Sequence, residues 1–146
     1  MAGSYALSRG LRQGDTLSPY LFILCQDVLS RMIEKEFLEG RLTGIKLNIG
    51  WPPLTHIMHA DDIVLFSKTT SRDANILNEC LEKYCTRSRQ LLNRSKSGII
   101  FLKFIQQPRA RAMKQILNKK NVKKDAIYLG APVFTSNNPS KDFKFL

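Results

Sequence analysis

Long apolar runs are missing from this 146-residue sequence, and nothing in it approaches the roughly twenty consecutive apolar residues that a membrane span needs. The opening segment MAGSYALSRGLRQG lacks an apolar core of signal-peptide length. A soluble, intracellular protein without membrane partners is therefore expected, with nucleus and cytoplasm left undecided. Cysteine is scarce as well. Cys25, Cys80 and Cys85 are odd in number, form no CxxC pair and fall among apolar neighbours at helical spacing, which argues for reduced core residues over a disulfide framework. No repeat, low-complexity tract or linker divides the chain, so one domain is expected over residues 1–134, followed by a loose polar tail over 135–146. Acidic charge is absent from a long block: from Lys83 to Lys124 every charged residue is Lys or Arg.

The positive content is correspondingly large, a net charge of +11 with a pI near 9.9. Solvated surfaces usually mix both signs, so the one-signed block favours a polyanion-binding surface over a merely hydrated basic face. Upstream, RGLRQGDTLSP supplies two glycines, two arginines and a glutamine in one short loop. Gly10 and Gly14 let backbone approach a ligand, Arg9 and Arg12 can pair with phosphates, and Gln13 can donate and accept at a base or sugar edge. Ser18 suits a helix N-cap and Pro19 a first helical position. Leu21, Phe22, Leu24, Cys25, Val28, Leu29, Met32, Ile33 and Phe37 then predict one buried helical face, stopped at Gly40.

Further along, Ile45, Leu47 and Ile49 alternate like a strand, GWPP turns, and residues 54–59 and 63–66 read as two extended segments. Between the last two stand Asp61 and Asp62, in MHADDIVLF. Asp is common in turns, so a plain hairpin is one explanation. The other is a metal site, because adjacent carboxylates repel and a divalent cation lets both stay ionised. His56 and His59 lie close by, but an odd offset along a strand puts them on opposite faces, which disfavours joint zinc ligation. Residues 71–87 predict an amphipathic helix through Ile76, Leu77, Cys80, Leu81, Tyr84 and Cys85, SGIIFL a strand over 97–102, residues 108–118 a basic helix, and AIYLGAPVF an extended segment.

In order and spacing, LRQGDTLSPYLFIL, HADDIVLF, LLNRSKSGIIF and IYLGAP resemble consecutive motifs of the reverse transcriptases of non-LTR, LINE-type retrotransposons, most of all those of plants. The resemblance implies an α+β fold, a partial polymerase palm whose antiparallel hairpin carries the Asp pair and packs on amphipathic helices. It implies an RNA-directed DNA polymerase that adds deoxynucleoside triphosphates to a DNA primer on an RNA template. Asp61 and Asp62 would bind Mg²⁺, with Mn²⁺ as a substitute, since hard divalent cations prefer oxygen ligands. Lys96 would serve the catalytic centre as a charge partner or proton donor to pyrophosphate. Arg9, Arg12, Gln13, Gly14 and His59 would contact template and incoming nucleotide, and Tyr128, Leu129 and Gly130 would form the primer grip.

Three positions depart from that family's pattern. His59 replaces an aromatic residue and adds a titratable ring; Thr16 replaces a proline and should loosen its loop; Arg89 follows Ser88 where the pattern has glycine. A left-handed backbone at Arg89 would cost on the order of 1 kcal/mol. The family also uses a third metal-binding aspartate and a fingers region upstream of GLRQG. Asp15 and Asp27 read as solvated residues that do not replace it, so a palm fragment inactive alone, with apolar faces uncovered, is expected. Its activity would need the upstream half. The alternative is a non-catalytic, basic nucleic-acid-binding remnant.

Overall fold

The computed structural model describes residues 14–101, 105–118, 127–128 and 131–132. Two compact units divide the chain, Met1–Leu92 and Asn93–Leu146. In the first, helix α1 (Ser18–Leu38) precedes strands β1 (His56–His59) and β2 (Asp62–Leu65), and helix α2 (Ser71–Ser88) follows. The second holds helix α3 (Gln107–Ile116) and the short antiparallel pair β3 (Ile127–Tyr128) and β4 (Ala131–Pro132). The class is α+β, as expected.

Helix α1 begins one step earlier than the Ser18 cap predicted. Leu17 occupies the cap position, and Asp15 supplies the missing acceptor: its carboxylate takes the Leu17 N–H at 2.9 Å and its carbonyl the Ser18 N–H at 3.2 Å. Asp15 is thus a helix-start residue. At the other end Gly40, with φ +66°, donates its N–H to the Phe37 carbonyl while Arg41 donates to Glu36, each at 2.9 Å. That pair of bonds is a Schellman closure, and its left-handed position is where glycine has no steric penalty.

Helix α2 is capped by Thr70, whose hydroxyl oxygen accepts the Asp73 N–H at 3.1 Å and whose O–H donates to Asp73 Oδ1 at 2.9 Å. The other oxygen of Asp73 accepts the Thr43 N–H at 3.0 Å, so this carboxylate, only 2% exposed, ties the segment leaving α1 to the start of α2. α2 ends at Arg89, whose φ of +56° is left-handed. The glycine-replacing arginine therefore sits where glycine is cheapest.

Leu29, Ile33, Leu42, Leu77, Cys80 and Tyr84 form the core of the first unit, and Met58, Ile63 and Leu65 of the hairpin pack against it. All three cysteines are free thiols; burial pushes the Cys80 thiol and the Tyr84 phenol upward in pKa. The nine-residue apolar face of α1 is only partly buried: Leu21, Leu24 and Val28 are exposed. At about 100° per residue those nine positions sweep roughly 220°, wider than the arc α2 and the hairpin cover.

Two predicted strands do not form among the described residues. Ile45 forms a single bridge with Leu54, and the Leu47–Ile49 stretch turns away into a loop. Within 97–101 only Ile99 is in a bridge, and residue 102 lies outside the described residues. Alternation alone does not make a strand without a partner to complete its ladder. The tail from Thr135 also lies outside the described residues.

Candidate metal and nucleic-acid site

β1 and β2 pair in the register His56↔Leu65, Ile57↔Val64, Met58↔Ile63 and His59↔Asp62, leaving Ala60 and Asp61 as a two-residue turn. The Phe66 N–H extends the ladder by donating to the Thr55 carbonyl at 2.7 Å, and Phe66 is buried. A hairpin rooted this way presents its tip rigidly. Ala60 carries φ +49°, a value short hairpin turns normally give to Gly, Asn or Asp, so the residue just before the carboxylates stores on the order of 1 kcal/mol of backbone strain.

Asp61 and Asp62 are both exposed. Asp61 stands in the turn and Asp62 opens β2, so strand alternation does not force the two carboxylates to opposite faces. The ion pairs among the described residues, Arg31 to Asp27, Lys35 to Glu39, Arg41 to Glu36 and Glu39, and Lys83 to Glu79, involve neither of them. Adjacent, solvent-facing carboxylate oxygens on a rigid turn are a donor set that suits a hard divalent cation. Among the described residues no third His, Cys, Asp or Glu joins them in a metal-binding group.

The two histidines part company as their spacing predicted. His59 is exposed, directly across the ladder from Asp62. His56 is half-buried between Thr55, whose Oγ1 lies 2.9 Å from Nδ1, and Ser30 of α1, whose Oγ lies 2.8 Å from Nε2. Burial lowers the His56 pKa, with Glu34 opposing weakly. His56 is therefore a strut between hairpin and helix. Beside it an open cleft of about 410 Å³ is lined by Ile23, Gln26, Asp27, Ser30, His56 and Met58, and the buried Oε1 of Gln26 has no hydrogen-bond partner. No spacing signal marked this cleft, because it joins residues some thirty positions apart.

Gly14 is exposed with φ +86° just ahead of α1, and a Cβ there would meet nothing within 4 Å, so its loop uses the glycine for conformation and leaves space beside it. Arg9, Arg12 and Gln13 lie outside the described residues. Lys96 belongs to the second unit, exposed in a turn organised by Asn93, whose Oδ1 accepts the Lys96 N–H at 3.1 Å. Tyr128 pairs with Ala131 across the β3–β4 ladder, and Leu129 and Gly130 between them lie outside the described residues. Of the basic block, Arg109 and Arg111 are exposed on α3, which buries Ala110 and Met113. No helix among the described residues is long and apolar enough to cross a membrane.

Comparison with known proteins bears on this arrangement. An uncharacterised mitochondrial protein of Arabidopsis thaliana is 54% identical over 55 residues, a stretch covering 38% of this chain and 45% of that protein. The match thus spans less than half of the relative's own length. No solved structure matches the chain. The family model described as reverse transcriptase (RNA-dependent DNA polymerase) matches residues 2–146. An exposed Asp pair on a core-anchored hairpin, in a basic chain matched almost end to end by that model, places this protein in the reverse transcriptase family.

Proposed function

We propose that this chain forms the carboxylate-bearing part of the palm of an RNA-directed DNA polymerase, of the plant LINE type, with residues 1–134 acting as one functional domain. The observation that carries the proposal is the hairpin that holds Asp61 and Asp62 side by side, exposed, at its tip. Those carboxylates hold Mg²⁺, or Mn²⁺ in its place. Bound there, the cations would activate a primer 3′-hydroxyl and neutralise the leaving pyrophosphate. His59, across the ladder, and Gly14, with Arg9, Arg12 and Gln13, line the approach of template and incoming deoxynucleotide. Lys96 meets pyrophosphate, and Tyr128, Leu129 and Gly130 hold the primer end. Arg109, Arg111 and their basic neighbours add sequence-independent affinity for the template–primer backbone. The third carboxylate of a two-cation site comes from outside the described residues, supplied by an upstream polymerase segment.

A second reading is favoured by the absence of a third ligand among the described residues: a basic nucleic-acid-binding protein without catalysis. Primer extension on a primed RNA template with Mg²⁺, and separately Mn²⁺, distinguishes the two. The chain is assayed alone and with an upstream polymerase segment, each beside the double variant Asp61→Asn, Asp62→Asn. Extension that requires both aspartates supports the polymerase. Absence of extension in every mixture, with salt-sensitive RNA binding intact in both proteins, supports the binding protein.

A further inference from the structure

The loop between the Ile45–Leu54 bridge residues is unusual in what it exposes. Leu47 is 60% exposed, Trp51 61% and Ile49 98%, although all three are side chains that folding normally hides. Slackness does not account for this. Two backbone bonds close the loop, Ile45 N–H to the Leu54 carbonyl at 2.9 Å and Leu54 N–H to the Ile45 carbonyl at 2.8 Å. Inside it the Asn48 side chain accepts the Ile49 N–H at 2.7 Å, Gly50 takes φ +87°, and Pro52 and Pro53 stiffen the return. The base is tight enough that a Cβ on Gly44 would lie 2.8 Å from the Leu54 carbonyl oxygen. The apolar side chains are therefore held out by a loop with its own internal structure.

Along the loop itself the charge has one sign: between residues 42 and 60 the sequence contains Lys46 and no Asp or Glu, while Arg41 just before it is paired with Glu36 and Glu39. A ligand that offers flat apolar faces together with negative charge satisfies both features, and unpaired nucleotides do so: bases stack on an indole while a neighbouring ammonium meets the phosphate. Paired bases hide their faces in the stack and would leave Trp51 uncompensated.

We infer that the 46–53 loop is a binding site for single-stranded nucleic acid, with Trp51 as the stacking platform, Leu47 and Ile49 as flanking apolar contacts and Lys46 as the phosphate contact. This rests on the nucleic-acid reading of the chain and adds to it a preference for unpaired strand at a named place.

Trp51 is the only tryptophan in the chain, so its fluorescence reports the site directly. Titrating the full chain with oligo(dT), oligo(rU) and the same strands annealed to their complements should quench the emission strongly with either single strand and little with duplex. Anisotropy of labelled strands should show Trp51→Ala weakening single-strand binding about ten-fold or more, with Trp51→Phe close to wild type and duplex affinity unchanged. Circular dichroism is expected to be the same for all three proteins, since the side chain is exposed. Unchanged emission at saturating single strand would overturn the inference without reference to any variant. So would a blue shift produced only by anionic lipid vesicles, or only by raising protein concentration, which would assign the loop to a membrane or to a second copy. If duplex binding survives while single-strand quenching is absent, this inference alone fails; if no nucleic acid binds at all, the proposed function fails with it.

Discussion

Helix α1 has two apolar faces with different fates. Leu29 and Ile33 are fully buried, whereas Leu17, Leu21, Leu24 and Val28, spaced four, three and four residues apart along the same helix, are between 46% and 64% exposed. Leu24 and Leu29 are the same side chain five positions apart. What separates them is the company each face keeps: α2 and the hairpin close over the 29–33 side, and no described element of the first unit closes over the other. Apolar spacing states which residues can be buried, and the supply of neighbours decides which ones are. The stripe is an apolar face left uncovered by the described residues.

The largest effect belongs to the closed face. Leu29→Ala should cost about 2–5 kcal/mol, because the truncated methyl groups leave a cavity among Ile33, Leu77 and Cys80 that packed neighbours fill only in part. A urea titration reads this as a lower midpoint at unchanged slope. A cost under about 1 kcal/mol would mean that the two faces do not differ as described.

The next test addresses what holds α2 over that face. Asp73→Ala removes the acceptor for the Thr43 N–H and the partner of the Thr70 hydroxyl, leaving buried polar groups unpaired at a cost of about 1–3 kcal/mol. An unchanged midpoint would show that helix packing positions the segment without the carboxylate.

Much of this was legible in the sequence because it is encoded locally. The hairpin follows from β-branched residues flanking two turn positions, and the left-handed Arg89 from a glycine expected and not found. Asp73 escaped notice because its second partner, Thr43, is thirty positions away, although Thr70 and Asp73 at i and i+3 are a cap signature. Ala60 escaped because alanine gives no hint of a positive φ. The expected strand at 45–49 carried the right alternation but pairs only at Ile45, and of the apolar run expected as a strand over 97–102 only Ile99 is in a bridge among the described residues. The Asp pair stood out in the sequence because its two carboxylates are adjacent, whereas the cleft beside His56 joins residues of α1 and β1 that are far apart along the chain.

The two ends of α1 and α2 permit a smaller test. Gly40 and Arg89 share a left-handed backbone, φ +66° and +56°, with and without a Cβ. Arg89→Gly should stabilise the fold by about 1 kcal/mol and Gly40→Ala should destabilise it by a similar amount, both read from urea midpoints. Equal and opposite shifts would assign the effect to backbone conformation; a loss on Arg89→Gly would reveal that the guanidinium side chain contributes more than its backbone costs.

The smallest expected effect is the counterpart of Leu29. Leu24→Ser changes a residue that is 61% exposed, and its cost in the isolated chain should stay within about 0.5 kcal/mol, apart from the slight propensity difference between the two residues in a helix. The measurement is a urea midpoint taken at several protein concentrations. A small, concentration-independent shift means that the face is open in solution and free to receive another polypeptide. A loss of 2 kcal/mol or more would be the magnitude of a buried leucine, and growth of that loss with concentration would show that a second copy already covers the stripe. Since Leu24 and Leu29 differ only in their neighbours, the ratio of their two costs measures how much of the apolar surface of α1 this chain covers for itself.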